Sequence, residues 1–238
     1  MRRIPITIAA GASMLAAAAA GPASGGLPAS GAGTPAFSRP GAIDNPYLPL
    51  AKYRSCVLRG HEDGARVRVV RRLLERSRRF EVGGRAVAAA IIEDRAIEDG
   101  QLVERTLDYF AQADGGTVYY LGEHVDNYED GRVVDHGGSW LYGRDTDRLG
   151  VAMPARPRVG DRWRFEDVPG ITVESDRVVR RIARVTVAGR AFRDVIRVRE
   201  HLMPEDAVEY KLYARGVGLL REVPPDGLVE LSGCSRRR

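Results

Sequence analysis

Four histidines, His61, His124, His136 and His201, and a large set of acids are the side chains here whose types could do chemistry. Metal-assisted hydrolysis of the zincin kind needs two histidines on one helical face with a glutamate between them, and no pair has HExxH spacing. His124 and Asp126 lie two apart and would share one face of a strand, but a zinc site needs three or four convergent ligands. In a regular hairpin turning at Asp130-Gly131, His136 falls on the opposite face together with Glu123. A solvated polar rim is therefore expected, and no metal site is assigned. Acyl transfer would need a serine on a strand-to-helix elbow. No G-x-S-x-G occurs, and Ser139, after Gly137 and Gly138, opens no expected helix. Neither Gly-rich phosphate signature occurs, and Ala214-Arg215-Gly216-Val217-Gly218 reads as a tight turn or bulge in a sheet. Acid pairs such as Asp145/Asp147 and Glu166/Asp167 sit in turn-like surroundings among arginines, where surface ion pairs of small energetic value are expected. No catalytic residue and no cofactor is assigned. The candidate binding groups are the aromatics Tyr119, Trp140, Tyr142 and Trp163, which could line a pocket or fill a sheet core.

The elements that position these groups are legible from turn chemistry. Residues 106–140 hold three apolar, aromatic-bearing runs separated by Asp114-Gly115-Gly116 and Asp130-Gly131, which supply the left-handed residues of tight hairpins. With Asp130-Gly131 as a two-residue loop, Glu129 faces Arg132. Regular pairing from there sets Leu121 opposite Trp140, Val125 opposite His136 and Tyr119 opposite Tyr142. One face then carries Tyr119, Leu121, Val125, Val134, Trp140 and Tyr142, and the other His124, Asp126 and Tyr128.

Similar turn signals recur along the chain, among them Glu62-Asp63-Gly64, Gly83-Gly84, Glu98-Asp99-Gly100, Ala188-Gly189 and Pro204-Glu205-Asp206. With Val, Ile, Thr and Tyr between them, they imply about ten antiparallel strands. Residues 69–80 fit a helical period as well as a strand one, and the Pro-rich stretch 149–159 reads as a loop. Val82-Gly83-Gly84-Arg85-Ala86 is echoed by Val187-Ala188-Gly189-Arg190-Ala191. Each is succeeded by an apolar strand, an acidic turn and a strand ending in an aromatic residue and alanine. The echo suggests an internal duplication over 66–123 and 178–222. The expected fold is all-β, an antiparallel meander in which two similar curved sheets form a sandwich or open barrel.

Residues 1–24 have the charged start, apolar run and small-residue end of a cleavable signal peptide, and 25–42 read as a disordered leader. A single β domain is expected over 43–235. The formal charge is +5, from 37 basic and 32 acidic residues, and the acids and arginines are interleaved. That pattern is a solvated surface and not a nucleic-acid footprint. No other stretch could span a bilayer as a helix, so no stable membrane span is expected after processing. The two cysteines, Cys56 and Cys234, fall in the first and last strands, 53–59 and 228–234. In an exported chain an even count suggests a disulfide, with two free thiols as the alternative.

The stretches IDNPYLPL, LDYFAQADGGTVYYLGE, GSW, MPARPRVGD and EYKLYARGVGLLREV resemble a family of exported, signal-peptide-bearing bacterial all-β proteins of uncharacterised function. The resemblance covers residues 43–223 and includes a Tyr-Ala-x-Gly-Val-Gly ending at 213–218. It implies export and an architecture like that of half-barrel envelope domains related in shape to lipoprotein carriers, and it supplies no catalytic residue. The function expected is a secreted or periplasmic, non-catalytic domain that binds a small apolar ligand or an envelope protein. The alternative is a hydrolase or lyase working through acidic residues and His136 or His124.

Overall fold

A computed structural model of the chain describes residues 34–204 and 206–237. The signal segment at 1–24 and the first part of the leader lie outside them. A short 3-10 turn, Leu50–Lys52, precedes fourteen strands: β1 (Tyr53–Glu62), β2 (Ala65–Val82), β3 (Arg85–Glu98), β4 (Gln101–Gln112), β5 (Val118–Glu129), β6 (Arg132–Asp135), β7 (Trp140–Leu141), β8 (Gly150–Met153), β9 (Arg162–Val168), β10 (Thr172–Val187), β11 (Arg190–Met203), β12 (Ala207–Ala214), β13 (Gly218–Val223) and β14 (Gly227–Arg236). The chain forms the antiparallel meander that the turn signals imply. It is one sheet in the order β6-β5-β4-β3-β2-β1-β14-β13-β12-β11-β10-β9, with β7 and β8 paired to β5, and it is not closed into a barrel.

Two-residue turns drive the meander because their left-handed backbone matches the twist of the strands they join. Gly83-Gly84 has φ 58 and 73°, Ala188-Gly189 φ 45 and 74°, and Asp130-Gly131 φ 50 and 75°. The two echoed stretches fall on two arms, β2–β5 and β10–β13. These arms flank the central pair β1 and β14. Residues 149–159 are not wholly a loop, since β8 lies within them. Residues 69–80 lie inside β2, an 18-residue strand. Pairing with β1 on one edge and β3 on the other overrides any helical tendency. Its helix-like spacing coincides with a bulge: Leu73 pairs with Ile92, but Ser77 with Ala90.

The arms pack face to face. Ile92, Phe110 and Tyr120 of the first meet Trp163, Val178 and Ile196 from the β9–β11 side, and each fully buried side chain of this size is worth about 1.5–3 kcal/mol. A strap ahead of β1 inserts Ile43, Tyr47 and Leu48 into the same core. Asn45 ties the strap to the first arm, its Nδ2 donating to the Gly116 and Pro154 carbonyls at 2.9 and 3.0 Å, and the Tyr47 hydroxyl ties it to the second by donating to Asp194 Oδ1 at 2.9 Å. A second core, with Phe80, Ile91, Tyr109 and Leu121, lies on the other face of the first arm and is partly covered by Phe37. Residues 36–42, read as leader, are thus held against the sheet. The Gln112 N–H donates to the Pro40 carbonyl, the Asp114 N–H to that of Ala36, and Ser38 Oγ to Asp114 Oδ2 at 2.8 Å.

Cys56 and Cys234 face each other in the β1–β14 ladder and form a disulfide, Cα to Cα 4.0 Å, across a sequence separation of 178 residues. In the chain-entropy picture a loop this long is worth up to about 5 kcal/mol.

Candidate functional site: a carboxylate-lined interior

The facing sides of the two arms are not uniformly apolar. On β4, Glu104, Thr106 and Asp108 turn inward, while Leu107 and Tyr109 pack in the second core on the opposite face. β10 adds Thr172, Glu174 and Asp176, β11 adds Glu200, β12 adds Glu209 and Lys211, and β13 adds Glu222. Asp94 on β3, Glu123 on β5 and Glu166 on β9 complete a set of ten buried carboxylates.

Among the described residues, two cations meet them. Arg71 clasps Asp94, Nη2 to Oδ2 at 2.5 Å and Nε to Oδ1 at 3.1 Å. Lys211 Nζ lies 2.6 Å from Glu200 Oε2, with both side chains almost fully buried. Neutral donors serve several others. Tyr120 donates to Asp108 Oδ1 at 2.6 Å and Thr106 to Glu104 Oε1 at 2.9 Å. Trp140 Nε1 and Thr172 Oγ1 donate to the two oxygens of Glu166, at 2.8 and 2.7 Å. Glu104 Oε2 and Glu222 Oε1 receive no hydrogen bond from the described residues.

Burial disfavours the ionised form of several of these acids, and for most of those the charge of neighbouring acids adds to it. Loss of water, with Asp94 and Glu98 close by, raises Glu104 to about 8 despite the Thr106 hydroxyl. Glu209 rises to about 8 through burial, against the pull of Lys211. Burial first, then the charge of Glu200, lifts Glu174 well above the carboxylate range, and Asp176 likewise. Glu123 rises through burial and the nearby Glu166. Burial opposes the charge on Lys211, but Glu200, Tyr213, Glu174 and Glu222 outweigh it and raise its pKa. Ligand atoms of Glu174, Asp176 and Glu200 all lie within 4.8 Å of one another, an all-oxygen grouping of the kind that suits a hard divalent cation.

The four aromatics singled out from the sequence do not share one wall. Trp140 and Trp163 are in the core between the arms. Tyr119 stands edge-on to Phe37, centroids 5.8 Å apart, and Tyr142 packs against the second core, both half-buried. The regular register fails after two pairs. Glu129 faces Arg132 and Tyr128 faces Val133, but Asn127 then pairs with Asp135, and Trp140 pairs with Glu123 instead of Leu121. Asp135 Oδ1 anchors the slip by accepting from Asn127 Nδ2 at 2.6 Å and from the Gly137 N–H at 2.8 Å. Face alternation also breaks at Gly122, whose φ is 118°. A Cβ there would come within 2.3 Å of the Trp140 carbonyl oxygen, so glycine is required. Leu121 therefore packs in the second core while Trp140 enters the interior. The same slip corrects the placement of His136: it stands beside His124 and Asp126, its Nδ1 3.0 Å from Asp126 Oδ1.

Sequence reasoning misses the interior acids because buried and exposed carboxylates look alike in sequence. Glu166 and Asp167 illustrate this. Asp167 makes the surface pair expected of it, with Arg148 at 2.8 Å, whereas Glu166 is fully buried. The available signal is polar residues at alternate positions of one strand, as in Glu104, Thr106 and Asp108 or Glu209 and Lys211.

Compared with known proteins, the chain matches no family model, and no curated protein or solved structure matches it. Among the described residues no helix is long and apolar enough to cross a membrane. The disulfide is consistent with an oxidising compartment.

Proposed function

We propose that this chain is an exported, non-catalytic binding domain whose ligand presents positive charge to the acids between the two arms. One observation carries the reading: ten buried carboxylates face two cations, so 10 − 2 = 8 negative charges need neutralising by protons or by a ligand. Buried ions are poor stabilisers, and well-packed apolar residues of similar volume serve stability as well or better. An acid-lined interior of this extent is therefore better explained by binding than by packing. The oxygens of Glu174, Asp176 and Glu200 favour a hard divalent cation. Export is supported by the signal-like residues 1–24, the Cys56–Cys234 bond and the resemblance to exported β proteins.

Titration calorimetry of the mature protein with Ca2+ and Mn2+, in buffers of different ionisation enthalpy, tests this. Saturable uptake with proton release, lost in Asp176→Asn and Glu200→Gln, is expected. Absence of uptake of either ion, with unfolding unshifted, would remove the reading.

The second reading, an apolar ligand, is favoured by a space of about 40 Å3 beneath the strap, lined by Leu48, Leu58, Leu73, Ile92, Leu219 and Leu231. That is room for a few water molecules and not for a chain-like ligand. An acyl chain would have to displace Leu48–Leu50 to enter. Enhancement of an apolar fluorescent probe, abolished by filling the space with Leu219→Trp, would support this reading over the cationic one.

A further inference from the structure

Outside the interior, three potential ligands meet on the outer face of the first arm. β5 carries His124 and Asp126 on that face, and the slip in the β5–β6 pairing delivers His136, just beyond β6, beside them. His124 Nε2 lies 3.2 Å and His136 Nδ1 3.0 Å from the same oxygen, Asp126 Oδ1. All three ligand atoms fall within 4.8 Å of one another. Metal–ligand bonds of about 2.0–2.1 Å put adjacent ligand atoms roughly 2.9–3.3 Å apart in octahedral or tetrahedral geometry. Both separations from Asp126 Oδ1 fall in that window, and the two imidazole nitrogens lie within 4.8 Å of each other, so small side-chain shifts would close the set around an ion.

The surroundings orient the carboxylate. Arg105 Nη1 holds Asp126 Oδ2 at 3.2 Å and leaves Oδ1 to the histidines, and Arg105 Nε is in turn fixed by Glu93 Oε1 at 2.8 Å. Outer partners of this kind set a ligating carboxylate in place. Ser139 Oγ accepts the Val125 N–H at 2.8 Å, pinning the connection that bears His136 to β5. The imidazoles stand 5.1 Å apart, tilted by 31°, with side chains about half exposed at 46 and 57%, while Asp126 is only 12% exposed. His136 Nδ1 also lies 2.9 Å from the Val125 carbonyl oxygen. As a donor it bonds that oxygen, and a bound ion would take the place of its proton.

We infer that His124, Asp126 and His136 form a surface site for a first-row divalent transition ion, with remaining positions open to water or an outside ligand. Two imidazoles and one carboxylate suit zinc and its neighbours, not calcium. The site is separate from the buried acids and does not depend on their role.

The test is titration of untagged mature protein with Zn2+, and with Co2+ to read the ligand field. One equivalent per chain is expected, with visible Co2+ absorption of imidazole–carboxylate ligation. His124→Ala and His136→Ala should each weaken uptake at least about ten-fold. His201→Ala, altering the separate His201–Asp206 pair, should leave it unchanged. Matching circular dichroism and denaturation midpoints would establish that the variants fold. Absence of saturable uptake by the wild type would overturn the inference. So would uptake that survives the double histidine variant, or that is lost in Glu200→Gln with the histidines intact, which would place the ion in the interior.

Discussion

The indole N–H of Trp140 donates to Glu166 Oε1 at 2.8 Å, with both side chains fully buried. The bond joins β7, paired to β5 of the first arm, to β9 at the edge beyond the second, so one donor links the two sides of the interior. Truncating a buried tryptophan costs about 3–5 kcal/mol. Trp140→Ala should lower the denaturation midpoint accordingly. Trp140→Phe, which keeps most of the volume but leaves Glu166 short of a donor, should cost about 1–3 kcal/mol. His124→Ala, at the surface, should leave the midpoint unchanged. Urea denaturation of the three variants checks this, and an unshifted midpoint for Trp140→Ala would contradict the burial of that ring.

Stability should fall as pH rises from about 5 to 8. The interior acids set the sign. Glu104 and Glu209, raised to about 8, keep protons in the folded state that the unfolded chain releases near 4.5. Between those values the folded form binds more protons, so unfolding becomes easier with each pH step, by on the order of 1 kcal/mol per unit for each such group. The stability is fully present below about 4.5 and is lost through about 8. Denaturation midpoints at pH 5, 6, 7 and 8 measure the slope. Glu104→Gln, permanently neutral, should flatten it, and a midpoint rising with pH would reject this account.

Lys211→Met should be among the most damaging single substitutions. It removes the cation 2.6 Å from Glu200 and leaves buried acids without their counter-charge. Breaking one partner of such a pair costs about 3–5 kcal/mol. Adding Glu200→Gln should recover part of the loss, because the pair is then replaced and not broken. A double-mutant cycle by calorimetry reads this, and strict additivity would show that the two groups do not interact.

The fold is legible where the backbone itself dictates the residue types. Asp63-Gly64, Gly83-Gly84, Asp99-Gly100 and Asp130-Gly131 all adopt the left-handed conformations that their residue types favour, and they alone imply a meander. The irregularities are not legible. The bulge between Leu73 and Ser77 looks helical because two more residues on one strand than on its partner disturb the period-2 pattern. The slip between Tyr128 and Asn127 depends on Asp135 capturing Asn127 and the Gly137 N–H, contacts that exist only once the hairpin has formed. That one displacement moves His136 from an expected aromatic face to the side of His124 and Asp126. The disulfide is within reach of the sequence, since Cys56 and Cys234 sit in the first and last strands, which pair directly where the two sequential runs of strands meet.

The Cys56–Cys234 bond also sets how the domain carries mechanical load. β1 and β14 are neighbours, with Tyr53 opposite Arg236 and the bonded cysteines three residues in from Tyr53. Tension applied to the two ends of the domain is borne by a covalent link at the margin. The hairpins of both arms lie inside the closed loop and stay slack. A chain tethered at one end and pulled at the other would load the strap ahead of β1, which lies outside the loop, but would keep both arms slack for as long as that link stayed oxidised.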